Sequence, residues 1–286
     1  MVRNAHPEHT HPLGVAGIAV YTLDSVSEVR IVHYSDSLTK FNTTKITLLG
    51  YAVEDSAFVP ILRIDTTTFL PTKIIPEKRQ FVYENIWATD SFAFSFVHKD
   101  SASFVIIGML LENENPGITY HSIGVNGASV DAFLRCVHFE EEIGLLSPDM
   151  VIFGLGINDA SGPNFNPATF KENYLTLVNQ FKNINPNCFF VFITNNDSYK
   201  KVGKKYQVNK NALKVREVMY ELAEETGGAV FDQFEIMGGL QSMEKWRLAK
   251  LAQNDRIHFT KAGYELMGKF LFNAIIRKFR PENVDF

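Results

Sequence analysis

From about Leu13 to about Leu111 the apolar positions fall in short runs rich in β-branched and aromatic residues: "VAGIAVYTL", "VRIVHYS", "TKITLLGYAV", "VPILRI", "RQFVYENI", "SFAFSFVH" and "SFVIIGMLLE". Polar or turn-forming residues separate them, among them Asn42-Thr43-Thr44 and Lys99-Asp100-Ser101. Several runs alternate apolar with polar positions and none sustains a helical repeat for three turns, which is the pattern of half-buried strands. Seven or eight such strands with no helix between them predict an antiparallel β-sandwich of jelly-roll type.

Beyond about Tyr120 the pattern changes. "MVIFGLG" and "CFFVFIT" are continuous apolar runs, as in strands buried on both faces of a parallel sheet, and "ATFKENYLTLVNQFKNI" between them has helical spacing. "NKNALKVREVMYELAEETGG", closed by a Gly pair suited to a C-cap, and "TKAGYELMGKFLFNAIIRKF" predict two further helices, and "GAVFDQF" a short strand. This alternation predicts an open α/β sheet, in which functional groups gather at the carboxyl ends of the strands. The expected organisation is an N-terminal tail over 1–12, a β-sandwich domain over 13–115 and an α/β domain over 116–286. The turn-rich stretch "ENENPGITY" marks the junction, and there is no internal repeat or low-complexity linker.

Three places in the second half sit where strands should end. "HSIGVNGAS" puts Gly127 after a short apolar run, and "VIFGLGIND" puts Asn158 and Asp159 after a buried strand. "NDRIHFTKAGYELMG" puts Asp255 and His258 just before the last helix. Asp and His three residues apart can be set side by side by one turn, the carboxylate taking one imidazole nitrogen while the other faces a nucleophile. Each place also has a bland reading: a turn glycine at Gly127, a helix N-cap at Asn158-Asp159, a satisfied histidine at His258.

Composition narrows the chemistry. The 286 residues are 45% hydrophobic and 21% charged, enough for a real core in one large or two moderate domains. A net charge of −4 with no long basic run argues against a nucleic-acid partner. No run reaches the ~18 apolar residues of a membrane helix, so no membrane span is expected. Cys136 and Cys188 lack metal-ligand or redox spacing and read as buried thiols. His6, His9 and His11 read as a polar terminus rather than a metal site, and no cofactor is implied. The start lacks the basic and apolar regions of a secretory signal, so the chain as it stands reads as cytosolic, processed, or cut short upstream.

Taken together, the blocks resemble the SGNH (GDSL-type) hydrolase family. "GIND", Gly156 to Asp159, matches its Gly-x-Asn-Asp block, and "DRIH", Asp255 to His258, matches its Asp-x-x-His block. "VNGAS" looks like its glycine block, with Gly127 in the glycine position. The resemblance implies a three-layer parallel sheet and a serine esterase acting on acyl esters such as O-acetyl groups on carbohydrate. It assigns His258 as general base, Asp255 as its orienting partner, and Gly127 and Asn158 as oxyanion donors, and leaves Asp159 shaping the loop that presents Asn158. The substrate would be a small-molecule or glycan ester, and the family analogy points to a periplasmic or secreted setting.

The family's Gly-Asp-Ser block is missing in full form. "IVHYSDS" offers Ser37, with Ser35 in place of the glycine, but it lies among sandwich strands rather than before a helix. Some bacterial members carry a jelly-roll domain inserted between the serine and glycine blocks, and this chain is similar to them from "HPLGVAGIAVYT" onward. On that resemblance the serine lies upstream of Met1, in an upstream segment or a second chain, whereas on the local motif it is Ser37. The other class of function is a noncatalytic glycan-binding module or pseudoenzyme, with Tyr83, Trp87 and Phe92 forming a sugar platform or, on the plainer reading, packing in the core.

Overall fold

The computed structural model describes residues 2–3, 11–22, 24–33, 42–53, 58–97 and 103–279. The chain forms two compact units, one of residues 1–126 with 135–145 and one of residues 127–134 with 146–286.

The first unit is built from strands β1 (Val2–Arg3), β2 (Ile18–Tyr21), β3 (Val26–Val32), β4 (Lys45–Ala52), β5 (Ile61–Ile64), β6 (Thr67–Phe69), β7 (Lys73–Ile75), β8 (Gln80–Tyr83), β9 (Ser91–Val97) and β10 (Phe104–Glu112). They form two antiparallel sheets, one ordered β1-β2-β10-β4-β8-β7 and one ordered β3-β9-β5-β6. One apolar cluster draws on both: Leu48 of β4, Tyr83 of β8 and Phe104 of β10 join Leu62 of β5 with Phe94 and Phe96 of β9. Phe96 and Phe104 approach to 5.0 Å between ring centroids. Period-two alternation produces this arrangement, because one face of each strand can be apolar only if the two sheets cover each other. Tyr83 and Phe92 belong to this core, and the Tyr83 hydroxyl donates to Pro60 O at 2.6 Å. A sugar platform of Tyr83, Trp87 and Phe92 is therefore not formed: only Trp87 reaches the surface, with its edge against Phe69.

Two short strands, β6 and β7, do not stand out in the sequence, because "TTF" and "KII" are too brief to show a period. A helix the periodicity also misses, α2 (Phe139–Leu146), joins the first unit. Its Glu142 is buried, and Oε2 accepts from Val15 N at 2.9 Å.

The expected strand end at "HSIGVNG" is a correction. Residues 113–129 contain neither helix nor strand, and Ile118 and Tyr120 stand almost fully exposed. An apolar run becomes a strand only by laddering with a neighbour, and among the described residues this one has none.

The second unit carries α1 (Val130–Leu134), β11 (Met150–Phe153), α3 (Pro167–Ile184), β12 (Phe189–Ile193), α4 (Asn211–Thr226), β15 (Ala229–Phe231) and α7 (Lys261–Phe279). A hairpin of β13 (Tyr199–Val202) and β14 (Lys205–Val208) and two short helices, α5 (Gln233–Ile236) and α6 (Ser242–Leu248), complete it. β11, β12 and β15 form a parallel sheet in that order. In the core Phe153 stacks with Phe190 and Phe192 of the sheet and meets Tyr174 of α3 edge-on. α4 buries Val215, Val218, Met219 and Leu222, a 3–4 spacing, and ends on Gly227 in the left-handed conformation the sequence predicts. Cys136 and Cys188 are buried and unbridged.

Candidate active site

Parallel strands share a direction, so the carboxyl ends of β11 and β12 open on the same edge of the sheet. The chain leaves β11 through Gly154-Leu155-Gly156 and reaches Asn158, the N-cap of a 3-10 turn (Asp159–Ser161) that Asp159 opens. Gly156 has φ +133°, and a Cβ there would stand 2.8 Å from Asn195 Oδ1, so the exit from β11 requires glycine. The Asn158 amide donates to Ala128 O at 2.8 Å, which uses one of its two hydrogens. Asp159 is largely buried and accepts from Val130 N at 3.1 Å. Burial raises its pKa, and the Val130 N–H works against that rise. These two bonds fasten Gly127-Ala128 beside the end of β11. Gly127 itself is exposed with φ +85°, and its N–H has no partner among the described residues.

Asp255 and His258 lie in the loop before α7. The His258 ring nitrogen Nδ1 is 2.7 Å from Asp255 Oδ2, and Ile257 N and His258 N donate to Asp255 Oδ1 at 2.9 and 3.1 Å. An ionised carboxylate can only accept, so Nδ1 carries the hydrogen and the lone pair of Nε2 faces outward. Partial burial would raise the Asp255 pKa, but the His258 ring and the two backbone donors hold it below the ordinary carboxylate value. Nε2 has no partner among the described residues, and no serine hydroxyl there is hydrogen-bonded to it.

The loop is tied to the sheet. The Asn196 amide, just past β12, donates to Ile257 O at 2.9 Å, and Tyr199 N donates to Arg256 O at 3.0 Å. Arg256, in the left-handed region at φ +59°, has Nε 2.8 Å from Glu244 Oε2 and its guanidinium 4.2 Å from the centre of the Tyr206 ring. Asp197 is fully buried and accepts from Met243 N at the start of α6 at 3.0 Å. Sequence reasoning passed over this "TNNDS" stretch. Its signal was available, because five polar residues follow directly on a continuous apolar strand, where such a sheet gathers function.

The sequence-singled residues thus resolve into two fastened pairs, the Gly127-Ala128 segment with Asn158 and Asp255 with His258, the second anchored on the strand next to the first. Ser37 lies outside the described residues, as do His6 and His9. Among the described residues no group of three or more His, Cys, Asp or Glu could hold a metal ion. Among the described residues no helix is long and apolar enough to cross a membrane.

The comparisons with known proteins follow this geometry. A search of curated proteins found no match. A solved structure described as a peptidoglycan O-acetylesterase in action superposes with a TM-score of 0.77 at 18% identity, covering 95% of this chain and 73% of that one. A lipase/acylhydrolase from Enterococcus faecalis matches at 24% identity over 55% of this chain and 75% of its own, with a TM-score of 0.41. An acetyl xylan esterase matches at 16% identity over 53% and 78%, with a TM-score of 0.42. The profile of the GDSL-like Lipase/Acylhydrolase family matches residues 90–266, which include both fastened pairs. On that match, and on the SGNH/GDSL hydrolase fold shared with the first of these structures, the chain belongs to the GDSL-like lipase/acylhydrolase family.

Proposed function

We propose that this chain carries the base and oxyanion groups of a serine esterase that removes O-acetyl groups from carbohydrate, with its nucleophilic serine supplied from a segment upstream or a second chain. The observation that carries the reading is the 2.7 Å Asp255–His258 pair, whose Nε2 has no partner among the described residues. In this reading His258 takes the proton of the serine hydroxyl as the oxygen attacks the acyl carbon, and returns it to the leaving alcohol. Asp255 holds the tautomer and balances the imidazolium. The oxyanion is met by the N–H of Gly127, the second amide hydrogen of Asn158 and the serine's own N–H. The acetyl-carbohydrate substrate is carried over from the peptidoglycan O-acetylesterase of like fold. Residues 13–115 would form an accessory domain of jelly-roll type, and 116–286 the catalytic domain.

The test has two arms. A fluorophosphonate probe should leave the chain alone unlabelled, and stoichiometric labelling of Ser37 would overturn the external serine. With a serine supplied, acetate release from O-acetylated peptidoglycan or xylan should fall about 10⁴-fold in His258→Ala and about 10²–10³-fold in Asn158→Ala. Hydrolysis indifferent to His258→Ala would sink the esterase reading.

One observation favours a second reading, a glycan-binding pseudoenzyme: Trp87 is 45% exposed and held edge-on by Phe69 at 5.0 Å, a rigid apolar face of the kind sugars stack on. Saturable glycan binding lost in Trp87→Ala but kept in His258→Ala, with no hydrolysis once a serine is supplied, is its signature.

A further inference from the structure

From Ser198 to Arg216 the chain carries six lysines and one arginine and no acid, although its net charge is −4. Such a cluster repels itself. Four of the lysines belong to the β13–β14 hairpin of the second unit: Lys200 and Lys201 on β13, Lys205 on β14 and Lys204 in the turn between them. Lys201, Lys204 and Lys205 are exposed. Arg216 is paired with Asp232 at 2.7 Å, whereas among the described residues no ion pair engages the hairpin lysines.

The two feet of the hairpin stand on both halves of the site. Where β13 begins, Tyr199 N donates to Arg256 O at 3.0 Å, in the turn that carries His258. Just past β14, Asn209 Nδ2 donates at 3.1 Å to Ala160 O, in the turn that Asn158 caps. Asn211 Nδ2 donates to Ala160 O and Gly162 O at 3.1 and 3.0 Å, and Asn209 N closes the base on Ser198 O at 2.8 Å. Cross-strand partners share a face, so Lys201 lies on the face of Tyr206, whose ring carries the Arg256 guanidinium, and Lys205 lies with Val202 on the other. Lysines also guard the open edges of a ribbon, a role that would serve anywhere on a surface. Here the ribbon grows from the two turns that carry His258 and Asn158.

We propose that this hairpin is a docking arm for an acidic polysaccharide, a glycan with carboxylates along its chain, which it holds at the site as the ester-bearing substrate. The proposal rests on the esterase reading above and adds the charge class of the substrate. Lysine ammonium groups are point charges on flexible stems, so they follow successive carboxylates of a polymer without fixing any one of them. Nucleic acid fits less well, because single strands stack on open aromatic platforms and the exposed ring of the hairpin, Tyr206, is already covered by Arg256. A membrane surface fits less well, because Val202 is the only exposed aliphatic side chain the hairpin could insert.

The test measures binding of fluorescently labelled polygalacturonate to the full chain and needs no serine. Binding should be saturable, should weaken steeply as salt rises, and should be absent for uncharged mannan. Lys201→Gln combined with Lys204→Gln and Lys205→Gln should weaken it about tenfold or more. Lys73→Gln combined with Lys78→Gln and Lys269→Gln, an equal change in net charge at exposed lysines outside the hairpin, should alter it less than about twofold. An equal loss in both triple variants would mark attraction by net charge alone and overturn the docking arm. No binding, or tighter binding of an oligonucleotide or of phosphatidylserine vesicles, would overturn it as well. With a serine supplied, the hairpin variant should raise KM about tenfold on acetylated polygalacturonate at unchanged kcat and leave acetylated, uncharged xylan unaffected. Binding as stated with no acetate released from either polymer keeps the docking arm and sinks the esterase reading. Acetate release that is equal on the two polymers and indifferent to the hairpin variant keeps the esterase reading and overturns the docking arm.

Discussion

Asp255 holds His258 twice, through Oδ1 to the backbone N–H at 3.1 Å and through Oδ2 to ring Nδ1 at 2.7 Å. A three-residue turn therefore sets both the place and the tautomer of the imidazole. In Asp255→Asn the amide presents hydrogens to Nδ1, and the other tautomer is favoured. With a serine in place, kcat should drop about 10⁴-fold. Both side chains are about half exposed, so stability at neutral pH should fall by no more than about 1 kcal/mol. The sign follows from the lowered Asp255 pKa. Its contribution is present above the ordinary carboxylate value and is lost as pH falls through the lower folded value. Denaturant midpoints of the two proteins should therefore differ at pH 7 and converge toward pH 2.

Arg256 fixes the middle of the same turn. Glu244 accepts from both Arg247 and Arg256, and these bonds hold its pKa down to about 2. Arg256→Ala should cost little global stability, since its partners are partly solvated. The amides of Ile257 and His258 should exchange about tenfold faster, in line with local opening. Raising salt should move the native protein part of the way toward the variant. Residue-resolved hydrogen exchange at two salt concentrations checks both.

Glu142 gives the first unit a pH dependence of opposite sign. Burial pushes its carboxyl up to about 7, with Glu141 adding to the rise and the Val15 N–H and Arg79 working against it. A raised carboxyl pKa stabilises the fold fully below the ordinary value near 4.5, and that stabilisation is lost as pH rises toward 7. The expected loss is on the order of 2–3 kcal/mol at most. Thermal unfolding between pH 5 and 8 should show a falling Tm in the native protein and a nearly flat one in Glu142→Gln.

Gly156 is the least replaceable residue of the site's framework. Its positive φ strains any L side chain, and the added methyl of Gly156→Ala meets Asn195 at 2.8 Å. A loss of about 2–4 kcal/mol in urea unfolding is expected, because strain and overlap act together. Gly154→Ala, in open space only two residues away, should cost less than about 1 kcal/mol.

The elements with a sustained period were legible in the chain: β4, β9 and β10, and the long helices α3, α4 and α7 within a residue or two. Local pattern suffices there, since alternation or 3–4 spacing over eight or more residues has only one way to bury its apolar positions. The pairing of Asp255 with His258 was legible for the same reason, because three intervening bonds of chain dictate it. Other features depend on residues far apart in sequence. The segment before Gly127 reads as a strand, yet strand formation needs a partner and the described residues supply none. Tyr83 and Phe92 read equally as platform or core, and only the closure of two sheets made them core. The hold of Asn196 on Ile257 and the closeness of Gly156 to Asn195 arise from contacts between distant segments. Sequence by itself thus determined which residues are candidates for the chemistry, since motif and period are local. Tertiary structure alone decided what fastens those residues, because hydrogen-bond partners and steric limits exist only once the chain has folded.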